Sequence, residues 1–211
     1  MDTESKLRRA EELRRELSQI EQSLSQSEGP ADWPPSEHYF AYNVTTGAIL
    51  GMFGAIASLL LNLVGALVVA PPAPLERHPF NLIRVYLTFP LGESALSVDA
   101  GVSLLIGTML YIGTGMLLGI PIHLLQSRFF PRASLGKRFV IVSIFCILIW
   151  VINFYAILAW LQPLLFGGNW IVELIPVPVA VLTHLVFGWT MVLLYPIGVF
   201  ESSRATKETV R

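Results

Sequence analysis

Few side chains that could take part in chemistry lie within the long apolar stretches of this chain of 211 residues. His184 stands inside the apolar run VLTHLVFGWT, and the amides Asn62 and Asn153 stand inside two other apolar runs. Glu173 lies at the edge of the last run. Polar groups are expensive to hold in a membrane, so those that occur there are candidates for ligand, proton or ion sites. We call these four residues the candidate polar cluster.

The depth of these residues predicts that three of them lie at one level. The first and fourth apolar runs cross in opposite directions, which puts Asn62 and His184 in the same half, with Asn153 near the middle of the third run. Two interpretations of His184 stay open: a neutral residue bonded to Asn62 or Asn153, or a ligand or proton site with Glu173 as the acceptor. Shared haem ligation with His123 is disfavoured, because the two rings differ by more than about 10 Å in depth.

The sequence contains no motif of a known catalytic chemistry. A Walker loop, HExxH, CxxC and GxSxG are all missing from it. The one cysteine, Cys146, cannot form an internal disulfide. We therefore expect no catalytic residues, no metal site and no cofactor bound by this chain alone. The net charge of -1 indicates no nucleic-acid partner.

The composition is that of a membrane protein. Hydrophobic residues make up 54% of the chain and charged residues 14%, whereas charged residues approach about a quarter of a soluble domain. A spanning helix needs about 20 apolar residues. The sequence therefore predicts an all-α integral membrane protein with four transmembrane helices, none of them interrupted in its middle. The predicted spans are residues 45–70, 100–126, 139–161 and 174–200.

The distribution of Lys and Arg predicts the orientation of these spans. The connection SRFFPRASLGKR is rich in basic residues, whereas QPLLFGGNWIVE has none. Connections rich in Lys and Arg stay on the cytoplasmic side. We expect both termini to be cytoplasmic, including the tail 201–211, in a bacterial-type inner (plasma) membrane.

The connection between the first two spans is long and contains an apolar stretch that is too short to cross a bilayer. We predict an interfacial or re-entrant helix over 78–92 on the outer side of the membrane. Its basic residue, Arg84, could pair with a lipid head group or with an acidic residue: Glu76, Glu93 or Asp99. A clasp that covers the helix ends and a lid over a binding site both stay open.

Small residues predict which helices pack together. Gly47, Gly51 and Gly54 recur every three or four positions in the first span, and Gly115 and Gly119 form a GxxxG step in the second. Glycine lets two backbones approach closely within a membrane. We expect these two spans to pack on each other, either within one chain or between two copies.

The first 27 residues predict an amphipathic helix. Leu13, Leu17, Ile20 and Leu24 follow spacings of four and three, which is a heptad seam. A Gly/Pro-rich linker, 28–44, ends it. The seam could lie on the membrane surface, or it could form a coiled coil with a second copy or with another subunit.

These observations favour a non-enzymatic role. The leading prediction is an accessory, assembly or scaffold subunit of a larger membrane complex, with the lipid bilayer, other membrane subunits or itself as partners. A small oligomeric transporter or channel that uses the candidate polar cluster is the alternative. A quinone- or haem-associated redox subunit is a further alternative.

Overall fold

The computed structural model describes residues 9, 12–20, 23, 36–73 and 75–198, and after residue 23 it gives side chains from Phe40 onward. The chain divides into two compact units, Met1–Ala41 and Tyr42–Arg211. Residues 12–20 of the first unit are helical. Leu24 and the predicted tail 201–211 lie outside the described residues.

The part of the chain described after residue 35 is built from helices and contains no strand. Its α-helices are α1 (Ser36–Val68), α2 (Asn81–Leu91), α3 (Val102–Phe129), α4 (Leu135–Val151), α5 (Ala159–Phe166), α6 (Trp170–Leu174) and α7 (Val177–Leu194). Two 3₁₀ turns, Gly92–Ser97 and Tyr195–Gly198, follow α2 and α7. A π-helical segment, Ile152–Leu158, joins α4 to α5.

Within the described ranges, four helices are long and apolar enough to cross a membrane. The predictions of an all-helical fold and of four helices long and apolar enough to span a membrane are therefore confirmed for the described residues. The observed spans are Phe40–Val68, Val102–Phe129, Leu135–Phe166 and Val177–Gly198. The third span is longer than predicted, because α4, the π segment and α5 form one continuous rod.

The π segment is the main departure from the sequence prediction, which had no irregularity inside the third span. The N–H of Ala159 bonds to the carbonyl of Phe154, five residues earlier, in place of the usual four. The segment INFYAIL has no glycine or proline to mark such a change. It buries Phe154 in a core cluster with Val85, Ile171 and Ala180, a tertiary contact that hydropathy does not report.

Helices α1 and α3 touch backbone to backbone. A Cβ added at Gly119 would lie 2.5 Å from the Cα of Gly51 and 2.9 Å from its nitrogen. One added at Gly47 would lie 2.9 Å from the Cα of Ile120. No larger side chain fits at these positions without moving a backbone. Gly47 and Gly51 thus meet Gly115 and Gly119 within one chain, whereas Gly54, predicted to pack on the second span with them, meets Phe187 of α7 instead.

Helix α7 covers both of its neighbouring spans. A Cβ at Gly54 of α1 would lie 2.8 Å from the ring of Phe187. On the other side of α7, Gly188 packs against Val142 and Cys146 of α4. A hydrogen bond of 2.8 Å from the indole N–H of Trp189 to the Ser143 hydroxyl adds a polar contact between α4 and α7.

Helix α2 packs on the side of α3. A Cβ at Gly107 of α3 would lie 2.7 Å from side-chain atoms of both Ile83 and Leu87. Arg84 of α2 is buried, and its Nε donates to the Val98 carbonyl at 2.6 Å while its Nη2 pairs with Asp99. Of the partners that the sequence offered, Arg84 thus uses Asp99. The two bonds fix the chain between α2 and the start of α3.

A buried amide connects three elements at the same end of the bundle. Gln162 of α5 is fully buried, and its Nε2 donates to the Thr88 hydroxyl of α2 at 2.9 Å. Its carbonyl oxygen accepts the backbone N–H of Ile171 in α6 at 3.0 Å. Because both halves of the amide are used, Gln162 holds α2 and α6 against the end of the third span.

The glycine contact gives a direct test. In a helix, Gly→Ala normally stabilises by about 0.5–1 kcal/mol. We expect Gly119→Ala to lower stability by about 1–3 kcal/mol, because its methyl group would meet the backbone of α1. The measurement is the midpoint of thermal unfolding of the detergent-solubilised protein, followed by far-UV circular dichroism.

Gly113→Ala is the matched control. It lies on the same helix, and a Cβ there would meet nothing within 4 Å. We expect its midpoint to be unchanged or slightly raised. Equal midpoints for the two variants would contradict the close packing of α1 on α3.

Candidate functional site

A cavity of about 450 Å³ lies among the helices, where α2, α3, the π segment and α7 face one another. Most of its wall is apolar or aromatic, and no Asp, Glu, Lys or Arg side chain of the described residues lines it. Pockets that take small molecules commonly measure about 300–1,000 Å³. Its polar lining residues are Ser58, Tyr86, Tyr111, Thr114, Asn153, Thr183 and His184.

His184 lines this cavity from α7. Its Nδ1 lies 2.8 Å from the carbonyl oxygen of Ala180, one turn earlier on the same helix. Its ring meets that of Phe154 edge to face, with 6.2 Å between centroids. The interpretation in which His184 bonds to Asn62 or Asn153 on a neighbouring helix is therefore wrong. In a helix the carbonyl oxygen four residues earlier is always close, and here the Ala180 carbonyl accepts the hydrogen bond from the imidazole of His184.

Asn153 lines the same cavity from the π segment. Its side chain makes no hydrogen bond with any described residue. The next residue, Phe154, touches the ring of His184. Asn153 and His184 therefore face the cavity from two neighbouring elements at one level of the bundle.

Asn62 lies beside the cavity rather than in its wall. Its Nδ2 donates to the Thr183 hydroxyl at 2.9 Å and to the Ser58 carbonyl at 2.8 Å. Thr183 in turn donates to the Val179 carbonyl at 2.7 Å. The amide of Asn62 thus joins α1 to α7 next to His184.

Glu173 is separate from these three residues. It belongs to the short helix α6, its side chain is exposed, and it does not line the cavity. Of the candidate polar cluster, the structure brings Asn153 and His184 to one cavity and puts Asn62 behind them, with Glu173 outside.

The other polar side chains of the wall are already paired. The Ser58 hydroxyl lies 2.9 Å from that of Tyr111, and the hydroxyl of Tyr86 bonds to that of Thr114. The rings of Tyr86 and Tyr111 meet edge to face, with 5.7 Å between centroids. These pairs tie α1, α2 and α3 together around the cavity.

A second group of buried polar residues lies at the opposite end of the bundle. The guanidinium of Arg138 lies 3.8 Å from the centre of the Tyr195 ring, and it donates to the carbonyls of Ala133 and Pro131 at 3.1 and 2.8 Å. The ring of His123 lies 5.6 Å from that of Tyr195. This group, which includes residues of α3 and α4, fixes the turn between them.

Sequence reasoning missed this second group. Arg138 is one of the basic residues of the connection SRFFPRASLGKR, which the sequence predicts to be cytoplasmic, yet its side chain is buried. His123 and Gln126 are also fully buried, and their spacing of three on α3 places them on one face. That spacing could have paired them, but the meeting of His123 and Arg138 at the Tyr195 ring depends on the tertiary fold.

Neither a metal cluster nor an exposed thiol occurs among the described side chains. No group of three or more His, Cys, Asp or Glu residues comes together there in a way that could hold a metal ion. Cys146 is buried against Gly188 of α7. The cavity, with its free amide and its imidazole, is therefore the best candidate for binding a ligand.

Comparison with known proteins gives no relative. No family model matches the sequence, no curated protein matches it, and no solved structure matches the fold.

Proposed function

We propose that this chain is a non-enzymatic, multi-pass membrane protein that serves as an accessory, assembly or scaffold subunit of a larger membrane complex. The observation that carries the proposal is the apolar face of its N-terminal helical stretch. Leu13, Leu17 and Ile20 follow heptad spacing and are 51%, 58% and 55% exposed.

An apolar seam of this kind supports binding to another helix. Leucine side chains left in water lose the stabilisation of about 1.5–3 kcal/mol each that full burial provides. The rest of the stretch is polar, and Arg9 pairs with Glu12 at 3.0 Å beside the seam. A narrow apolar stripe between charged flanks is the pattern that coiled-coil partners recognise. The partner is either a helix of another subunit or a second copy.

A pathway for ions or polar solutes has less support. Such a pathway needs polar groups in series, but Asn62 is bonded to Thr183 and Ser58, and Glu173 lies away from the cavity. The wall between these groups is mostly apolar. The accessory role is therefore preferred to a transporter or channel.

The proposal includes a placement in the membrane. Arg128, Arg132 and Lys137, in or beside the connection between α3 and α4, are exposed, as expected for a cytoplasmic surface. The connection between α5 and α7 has no Lys or Arg. Both termini would then be cytoplasmic, with α2 as the interfacial or re-entrant helix on the outer side of a bacterial-type inner membrane.

The partner surface can be tested with paired charge substitutions. We expect Leu13→Asp combined with Leu17→Asp to abolish recovery of stoichiometric partners, because two carboxylates on the seam cannot be buried in a helix interface. The measurement is a pull-down of the tagged full chain from its own host in mild detergent, quantified by mass spectrometry.

Ser18→Asp combined with Gln19→Asp is the control, since it adds the same charge away from the seam. We expect it to recover partners as the unmodified chain does. If the seam variant keeps its partners, or if the unmodified chain is recovered alone, the accessory role is wrong.

The orientation can be tested by labelling with a membrane-impermeant maleimide on spheroplasts. We expect Glu173→Cys to be labelled before lysis and Ser134→Cys only after lysis, because both positions are exposed but lie in connections at opposite ends of the bundle. The unmodified chain is the control, since Cys146 is only 1% exposed. The reverse pattern would invert the proposed orientation.

A further inference from the structure

The cavity described above contains two polar groups with no protein partner. Because the Ala180 carbonyl can only accept, the proton of His184 lies on Nδ1, and Nε2 keeps its lone pair as an acceptor. The side-chain amide of Asn153 makes no hydrogen bond with the described residues and can both donate and accept. The other polar side chains of the wall are already paired.

The rest of the wall limits the ligand to a neutral molecule. No charged side chain of the described residues lines the cavity, so a carboxylate, phosphate or ammonium would lose its hydration without compensation. Aromatic rings face the space from several elements, and they include Tyr86, Phe89, Phe154 and Phe187. Such walls favour a flat ring, which can meet them by stacking or edge to face.

The π segment points to the same place. One wider turn inside an α-helix has poorer geometry than a regular turn, and such turns occur frequently at functional sites. Here the turn comprises Ile152–Leu158 and supplies Asn153, Phe154, Ile157 and Leu158 to the cavity wall. The π segment of the third span therefore also supplies the free amide, that of Asn153, to the cavity wall.

We propose that the cavity binds a lipid-soluble phenol or hydroquinone with an apolar tail. Its hydroxyl donates to Nε2 of His184, an oxygen of its head accepts from the Asn153 amide, and its ring and tail fill the apolar space. The inference goes beyond the accessory role, because it requires the chain alone and no partner.

The test uses the purified full chain in lipid nanodiscs under anaerobic conditions, titrated with 2-decylhydroquinone. The readout is quenching of tryptophan fluorescence, because the ring of Trp150 lies 6.0 Å from that of Phe154 in the cavity wall. We expect saturable quenching, lost in Trp150→Phe. The dimethyl ether of the same molecule cannot donate to His184, so we expect its affinity to be about tenfold lower.

Two variants of similar shape test the residues. We expect Asn153→Leu and His184→Phe each to weaken hydroquinone binding about tenfold, and His184→Phe to remove the preference for the hydroquinone over its ether. The thermal midpoint without ligand shows whether each variant is folded. The control Thr190→Val, which removes a hydroxyl on α7 outside the wall, should bind within about twofold of the unmodified chain.

Several results would overturn the inference. It is wrong if quenching does not saturate, if the ether binds as well as the hydroquinone, or if folded Asn153→Leu and His184→Phe keep full affinity. None of these results bears on the accessory role, which is measured by partner recovery after changes at Leu13 and Leu17. Conversely, loss of that role would leave the titration unaffected.

Discussion

The backbone contact between α1 and α3 sets the spacing of the whole bundle. Gly47 and Gly51 meet Gly119 with no side chain between them. Farther along, the glycines of the two helices do not meet: a Cβ at Gly65 of α1 would meet nothing within 4 Å, and one at Gly107 of α3 would meet side chains of α2. Without a hydrophobic drive in lipid, such close packing is what holds helices together. The cavity lies where α2 and α7 complete the walls on either side of α3.

A second constraint is the need of buried polar side chains for hydrogen-bond partners. In an apolar medium a buried donor or acceptor gains from a partner, and for several side chains the fold supplies one from another element. Ser58 with Tyr111, Asn62 with Thr183 and Trp189 with Ser143 each join two spans. The Asn153 amide differs from these pairs, because it faces the cavity and makes no hydrogen bond with a described residue.

The sequence predicts the four spans well, because length and apolarity are properties of a linear stretch. Helical spacing also indicates the face on which Gly47 and Gly51 meet Gly115 and Gly119, whereas Gly54 of the same stripe meets Phe187 of α7 instead. Sequence-based prediction fails where several groups compete for the same hydrogen bond or the same packing position. His184 had two candidate amides, but the carbonyl of Ala180 takes its Nδ1. The π segment and the burial of Arg138 arise from tertiary packing that no local pattern marks.

The cavity is the part of the fold that packing alone does not explain. Its wall is mostly apolar, yet the helices leave a space of about 450 Å³ beside Asn153 and His184. A bundle whose backbones touch at its glycines could have closed this space with larger side chains. Instead, the wall presents the free amide of Asn153 and the acceptor nitrogen of His184. This arrangement favours binding of a molecule that has a hydroxyl group.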